Sequence, residues 1–246
     1  MTSTASQSSI LSVQRDLPRG APIPLASLRQ LGVSSFLASY YVRRGWLVRL
    51  GRGLYAFPND RLQLATSLRH IQTLCPGLHV GGKTALAWRG IRHYMRTGQP
   101  LVLWGRDRFR LPDWFVERFP ARYRHTRLFS DAISANSAVG ALPDEDKEGV
   151  RVSEPERALL ELLSDVGVAE SLDEARKLVE STRAVRADVF TRLLTHCTSV
   201  KTVKLATQLA AELGMPWAKT LAELTLKRGK GRWVRRLSDG STLVLK

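Results

Sequence analysis

The fold of this chain is decided by residues 25–57, which run LASLRQLGVSSFLASYYVRRGWLVRLGRGLYAF. Leucines at helical spacing predict a short amphipathic helix that ends at Gly32, where a left-handed backbone favours glycine. A second helix begins at Ser34 or Ser35 and stops at Gly45. Two short apolar runs then flank the sequence Gly51-Arg52-Gly53. This order predicts a helix-turn-helix followed by a β-hairpin.

The second helix has two chemically different faces. Ser34 can accept a hydrogen bond from the free amides of the first turn. Leu37, Ala38, Tyr41 and Val42 share one face, which we expect to pack on the core. The other face suits entry into a DNA major groove, because it combines small polar groups, aromatic rings and an arginine. Its residues are Ser35, Phe36, Ser39, Tyr40 and Arg43.

The predicted hairpin holds Arg52 at its tip, where it can reach a phosphate or an adjacent minor groove as a wing does. We therefore predict two groups of DNA contacts. Base edges are assigned to Ser35, Ser39, Tyr40 and Arg43, and phosphates or the minor groove to Ser34, Arg44, Arg49 and Arg52. The alternative is a helical hairpin with a β-hairpin lid and no ligand.

The net charge of +16 on 246 residues favours a polyanionic partner. The charge is +5 over residues 1–60, +10 over 61–129, −7 over 130–190 and +8 over 191–246. No apolar run approaches the roughly 18 residues of a membrane helix, and no signal peptide precedes the domain. We therefore expect a cytoplasmic protein. Cys75 and Cys197 are far apart in apolar patterns, so no disulfide, metal site or cofactor is predicted.

We expect two domains in an α+β protein: a winged helix-turn-helix over residues 1–60 and a larger mixed α/β domain over residues 61–246. A first helix around Ile10 and Val13 should pack against the helix-turn-helix. The second domain is predicted to contain helices at 62–74, 84–88, 170–180, 187–197 and 200–213, strands at 100–104 and 121–129, and a basic C-terminal hairpin.

Three basic segments of the second domain are candidates for further nucleic-acid contacts. Arginines alternate with aromatic residues over 106–127, which suits phosphate pairing and base stacking but also fits a core with a solvated strand face. Lys201 and Lys204 lie together at the start of a helix and could meet phosphate. The tail at 227–236 is basic and glycine-rich, and suits nucleic acid or a protein-docking strand equally.

Two enzymatic interpretations are weaker. Residues 77–84, GLHVGGKT, match the P-loop pattern, so an ATPase using Lys83 and Thr84 is an alternative function. A P-loop follows a buried strand, however, and residues 70–76 have a helical period that ends in proline. Carboxylates at Asp144, Asp146, Glu154 and Glu156 suggest a nuclease only weakly, since no catalytic lysine accompanies them. We expect no enzymatic activity.

The run at residues 32–57, with Gly45-Trp46-Leu47 and Arg52-Gly53-Leu54-Tyr55, resembles the N-terminal winged helix of AbiEi-type antitoxins, the transcriptional regulators of type IV toxin-antitoxin (abortive infection) systems. Residues 80–90 and 152–159 are similar to later regions of the same family. Phe36 and Tyr40 depart from it, because the family more often has small or basic residues there.

The resemblance implies a sequence-specific repressor that binds inverted repeats in its own promoter and serves as the antitoxin. Its counterpart is a nucleotidyltransferase-like toxin, with which the resemblance implies no stable complex. We expect a monomer in solution that binds operator DNA, possible cooperation between bound copies, and no membrane partner. A general basic nucleic-acid-binding or nucleoid-type protein is the alternative.

Overall fold

The structure is a computed structural model that describes residues 3–91, 98–219, 221, 233–236 and 242–245. Its contacts divide the chain into two compact units. The first comprises residues 1–74 and 112–119, and the second residues 75–111 and 120–246. A smaller N-terminal unit and a larger second unit, both mixing helices and strands, confirm the predicted α+β class.

Helices and strands occur in both units of the described chain. The helices are α1 (Ser3–Asp16), α2 (Leu25–Gln30), α3 (Ser35–Arg43), α4 (Leu64–Leu74), α5 (Gly82–Trp88), α6 (Asp113–Val116), α7 (Pro155–Asp165), α8 (Leu172–Glu180), α9 (Ala187–Thr195) and α10 (Val200–Glu212). The strands are β1 (Ile23–Pro24), β2 (Val48–Gly51), β3 (Leu54–Ala56), β4 (His79–Val80), β5 (Leu101–Gly105), β6 (Ala121–His125), β7 (Val139–Gly140), β8 (Val152–Ser153), β9 (Trp233–Arg236) and β10 (Thr242–Leu245).

The first unit contains a winged helix-turn-helix. Helices α2 and α3 form the helix-turn-helix, and β2 and β3 form the hairpin wing. The sheet has a third strand that the sequence did not predict, because β1 pairs antiparallel with β3 in the order β1-β3-β2. A strand of two residues that ends in proline has no alternation of apolar and polar residues by which it could be predicted. It forms because β3 has a free edge with which it can pair.

The core of this unit is built from α1, the helix-turn-helix and the sheet. Ile10 and Val13 of α1 are buried, which confirms that the first helix packs on the helix-turn-helix. The same apolar cluster includes Leu28, Val33, Ala38, Tyr41, Leu47, Tyr55 and Phe57. Burying these side chains is the main source of stability for such a small unit.

The first unit continues past residue 60, the boundary predicted from the sequence. The amide of Gly20 donates to Asp60 Oδ2 at 2.8 Å, and the Gly20 carbonyl accepts from the Gln63 amide at 2.8 Å. The Thr66 hydroxyl donates to the same carbonyl at 2.9 Å. These bonds join segments about forty residues apart, so no local sequence pattern predicts them. The boundary between the two units falls after Leu74.

The second unit is organised on a mixed five-stranded sheet with the order β6-β5-β4-β8-β7. Strands β5 and β6 are parallel, with Leu101 opposite Ala121, while β4 runs antiparallel to β5 and parallel to β8. Helices α5 and α7 pack together beside this sheet, and α7 also contacts α9 and α10. Phe190 and Trp217 pack with ring centroids 4.7 Å apart in the helical part.

Some predicted elements of the second unit change length. The strand predicted at 121–129 ends at His125, because the chain then leaves the sheet and Phe129 forms an isolated bridge with Cys197. Strands β9 and β10 pair antiparallel as the predicted hairpin, with Val234 opposite Val244. The turn predicted at 239–240 and most of the basic tail, residues 227–232, lie outside the described residues. Within the described part of the chain, every helix is too short or too polar to span a bilayer.

Candidate nucleic-acid interface

Helix α3 is held by defined signals at both ends. Ser34 is its N-cap, and the Ser34 hydroxyl accepts from the Leu37 amide at 3.2 Å, as predicted. The turn before it contains Gly32 with φ of 78°, and Gly45 with φ of 71° follows the C-cap. Glycine adopts these left-handed conformations without strain. The two glycines therefore set where α3 begins and ends.

The inner face of α3 packs on the core and the outer face is open. Ala38 and Tyr41 are fully buried. Ser34, Ser35, Phe36, Arg43 and Arg44 are exposed, and Ser39 and Tyr40 are half-buried. The structure thus brings all the α3 residues of the predicted interface to one surface, and the division into two faces agrees with the helical period.

Three aromatic rings support the C-terminal half of this surface. Tyr40 packs edge-on against Trp46, with ring centroids 6.1 Å apart, and Trp46 also contacts Tyr41. The Arg44 guanidinium lies 5.3 Å from the centre of the Tyr40 ring, and its Nε donates to the Tyr40 hydroxyl at 3.0 Å. Tyr40 therefore positions Arg44 at the end of α3.

The wing is linked to α3 by a hydrogen bond between side chains. Arg49 of β2 donates to the Ser39 hydroxyl at 3.5 Å, and its guanidinium lies 5.8 Å from the Tyr55 ring. At the tip, the Gly53 carbonyl accepts from the Leu25 amide at 2.8 Å, which fixes the wing to the start of α2. Arg52 projects from this turn and is exposed. Helix and wing thus form one continuous surface.

Two arginines of this surface differ from the others. Within the residues that the structure describes, Arg43 and Arg52 make no side-chain hydrogen bond or ion pair, whereas Arg44 and Arg49 lie against aromatic rings. A guanidinium without a protein partner retains all five of its donors for a ligand. Arg43 and Arg52 are therefore the two cations of the surface most available to an anion.

Comparison with known proteins places the whole chain in one family. Residues 6–97 match a protein-family model described as "Transcriptional regulator, AbiEi antitoxin N-terminal domain", and residues 98–244 match one described as "Transcriptional regulator, AbiEi antitoxin, Type IV TA system". The chain belongs to the AbiEi antitoxin family. No curated protein is similar enough in sequence to match.

A solved structure has the same fold. The crystal structure of the RV2827C protein from Mycobacterium tuberculosis superposes with a TM-score of 0.63 at 18% identity, covering 92% of this chain and 83% of that one. At this identity the similarity concerns the fold alone.

Two basic residues of the second unit in this AbiEi-family chain, Arg122 and Arg124, are used differently from those of α3. Arg122 pairs with Glu170 at 2.7 Å, and both Arg122 and Arg124 pair with the buried Asp165. Burial raises the pKa of the Asp165 carboxyl, against the opposing charges of the two arginines. The alternating arginines of β6 therefore bind carboxylates of their own unit.

Lys201 and Lys204 are buried, which overturns the suggestion that they meet phosphate. The Lys201 ammonium donates to the carbonyl oxygens of Ser164 and Val166 at 2.6 and 2.9 Å. These carbonyls lie at the C-terminal end of α7, where free acceptors and the helix dipole favour a cation. The sequence shows only two lysines in a helical pattern and cannot reveal this capping role.

The P-loop-like sequence surrounds a carboxylate of its own chain. The Gly82 amide at the start of α5 donates to Glu161 Oε2 at 3.0 Å, and a side chain at Gly81 would collide with the same oxygen. Lys83 donates to Glu170 and Glu174, at 3.1 Å each. The amide and the lysine that a P-loop offers to phosphate are therefore both engaged by carboxylates.

Glu161 is the centre of a buried polar network that the sequence did not suggest. It accepts from the Ser153 hydroxyl, from Arg157 and from His79 at 2.8–2.9 Å. The His79 ring also contacts the Gly77 carbonyl at 2.8 Å, so each of its nitrogens has an oxygen partner. The participants lie up to 82 positions apart, so no motif marks them.

The acidic residues considered for a nuclease have structural partners. Glu154 and Glu156 both pair with Arg186. Asp144 pairs with Lys147 and accepts from the Asp146 amide. Among the described residues there is no cluster of His, Cys, Asp and Glu able to hold a metal ion. Both cysteines are buried free thiols.

Proposed function

We propose that this chain is a sequence-specific repressor of its own toxin-antitoxin operon in the cytoplasm and binds inverted repeats in the promoter through α3 and the wing. The family is one of transcriptional regulators and antitoxins of type IV systems. The proposal adds the ligand and the residues. Ser35, Ser39, Tyr40 and Arg43 contact base edges, and Ser34, Arg44, Arg49 and Arg52 contact phosphates or the minor groove.

The observation that carries the proposal is the outer surface of α3 and the wing. It is exposed, it bears no acidic side chain, and it holds Arg43 and Arg52 without protein partners among the described residues. A recognition helix places its N-terminal residues at base edges, while arginines at the periphery fix its position on the phosphates. Ser35 and Ser39 lie on α3 and Arg52 lies on the wing, which supports this division.

The experiment compares the affinity of the purified protein for its own upstream DNA with that for a scrambled duplex of equal length, by fluorescence anisotropy. A specific DNA-binding protein prefers its site by about 10³-fold or more. We expect the double substitution Arg43→Ala with Arg52→Ala to remove this preference, because it removes two of the proposed DNA contacts. The fold should stay intact, because both side chains are exposed and contribute nothing to the core. Far-UV circular dichroism checks that the fold is intact.

Arg61→Ala is the matched control, because Arg61 is an exposed arginine of the same unit outside α3 and the wing. It should bind the upstream DNA like the wild type. If the double variant keeps wild-type affinity, the assignment of Arg43 and Arg52 is wrong. If the wild type binds both duplexes equally, the protein is a general nucleic-acid binder and not an autorepressor.

We further propose that the chain counteracts a nucleotidyltransferase-like toxin without a stable complex, is monomeric in solution, and has no enzymatic activity of its own. Co-expression of this chain should restore the growth of cells that the toxin alone inhibits. Sedimentation of the two purified proteins mixed together should show each at its own mass. A stable joint species would contradict the first part. Sedimentation of the chain alone at 27.5 kDa is the result expected for a monomer.

A further inference from the structure

Phe36 is an aromatic side chain with 75% of its surface exposed. A single exposed apolar residue is common and needs no explanation by itself. The position of Phe36 is what distinguishes it. It occupies the first turn of α3, on the same outer face as Ser39, Tyr40 and Arg43.

The other aromatic residues of α3 contribute to the fold and Phe36 does not. Tyr41 is buried, and Tyr40 packs against Trp46. Within the described part of the chain, the Phe36 ring makes no contact with another aromatic ring or with a cation. The packing of the unit therefore does not explain why position 36 carries a phenyl ring.

Helical geometry aligns Phe36 with the proposed DNA contacts. Residues 36, 40 and 43 are separated by four and three positions, so they lie one above another along one stripe of the helix. Arg43, at the far end of the stripe, is exposed and without a partner among the described residues. The residues at the N-terminal end of a recognition helix are the ones that reach base edges. Phe36 therefore faces the same groove as Arg43.

The chemistry of a phenyl ring limits what it can recognise there. It cannot donate or accept a conventional hydrogen bond, so a polar base edge buried against it would lose its water without compensation. Among the groups that base pairs present in the major groove, the 5-methyl group of thymine is the apolar one. An exposed phenyl ring on a recognition helix thus favours thymine over cytosine, adenine and guanine.

We propose that Phe36 selects a thymine in the operator half-site through contact between its ring and the thymine 5-methyl group. This proposal rests on the function proposed above, because it requires α3 to enter the major groove. It adds a specificity-determining residue of apolar character to a set of contacts that is otherwise polar and cationic.

The test removes the methyl group from the DNA and the ring from the protein separately. Duplexes of the upstream region are made with each thymine replaced in turn by deoxyuridine, which lacks only the 5-methyl group. We expect one replacement in each half-site to weaken wild-type binding by about fourfold, the value of one buried methyl group. For Phe36→Ala, the same replacement should leave the affinity unchanged, because the methyl group has lost its partner.

Leu11→Ala is the matched control, because Leu11 is another exposed apolar residue of the same unit, on α1. It should show the same deoxyuridine profile as the wild type. The proposal is overturned if the wild type prefers its operator but tolerates every deoxyuridine, or if Phe36→Ala is as sensitive to deoxyuridine as the wild type.

Two other results would have different interpretations. A wild type without preference for the upstream DNA would defeat the proposed function and the thymine contact together. A self-association that appears on sedimentation without DNA, and that Phe36→Ala abolishes while the deoxyuridine profile is flat, would make Phe36 a protein contact instead. Phe36→Ala should in every case unfold at the same urea concentration as the wild type, since the ring is outside the core.

Discussion

Glu161 is a buried carboxylate whose charge is stabilised by its neighbours. Burial alone would raise its pKa, but the charges and hydrogen bonds of His79 and Arg157 lower the pKa to about 2. A carboxyl group whose folded-state pKa lies below its unfolded value stabilises the fold at any pH above the unfolded value. That contribution is lost as the pH falls from about 4.5 towards 2.

We therefore expect Glu161→Gln to lower the free energy of unfolding at pH 7 by roughly 3 to 5 kcal/mol, because Arg157 is left buried without its counter-charge. The difference in the free energy of unfolding between Glu161→Gln and the wild type should narrow by about 3 kcal/mol as the pH falls from 5 to 2, since the wild-type carboxylate is itself protonated in that range. Urea denaturation of both proteins across this range measures it.

The control at this scale is Asp16→Asn, which removes an exposed carboxylate paired with Arg15. An exposed pair is screened by solvent, so this substitution should change stability little at any pH. A gap between Glu161→Gln and the wild type that stays constant with pH would mean that Glu161 stabilises the fold by packing and not by its charge.

At the scale of the element, α3 begins at a cap that serves both the fold and the proposed interface. The Ser34 hydroxyl accepts from the Leu37 amide, so its loss leaves an amide of the first turn without a partner. Ser34 is also exposed at the edge of the surface proposed to face phosphates. Substitutions that keep the cap but change the charge can separate the two roles.

We expect Ser34→Ala to lower the free energy of unfolding by about 1 kcal/mol, the usual value of an N-cap. Ser34→Asp should keep the stability, because aspartate caps equally well, but it should weaken operator binding through repulsion of the phosphates. Ser34→Asn, a neutral cap, should resemble the wild type in both measurements. Tight operator binding by Ser34→Asp would remove Ser34 from the proposed phosphate contacts.

At the scale of the whole molecule, the count of 38 lysines and arginines overstates the number of cations available for DNA. Arg122 and Arg124 pair with carboxylates, and Lys201 caps α7. The available cations of the proposed interface are the four arginines of α3 and the wing. The strength of DNA binding should follow these four and not the total.

The salt dependence of operator binding measures this number. Each phosphate neutralised contributes about −0.9 to the slope of log affinity against log salt concentration. We expect a slope of about −3 per bound copy from Arg44, Arg49 and Arg52, the arginines assigned to phosphates or the minor groove, and Arg52→Ala should reduce its magnitude by about one. Arg61→Ala should leave it unchanged. A slope steeper than roughly −8 would show that basic regions elsewhere also contact DNA.

Local patterns were sufficient to predict the winged helix-turn-helix. Its helix faces, its N-cap at Ser34 and the glycine turns at Gly32 and Gly45 depend on residues within one or two turns of each other. The same is true of the α+β class, since both helix and strand periods can be recognised in the chain and they do not alternate regularly. The proposed DNA contacts of α3 could also be chosen this way, because the helical period alone decides which side chains share a face.

The tertiary structure decided everything that depends on distant partners. Strand β1 exists because β3 pairs with it, and the first unit extends to Leu74 because Gly20 bonds to residues 60–66. The sequence shows that a charged residue is present but not what it contacts, so Lys201 was a candidate for phosphate contact although it caps α7. Glu161 accepts hydrogen bonds from groups in three other elements of the chain, and only folding brings these groups together.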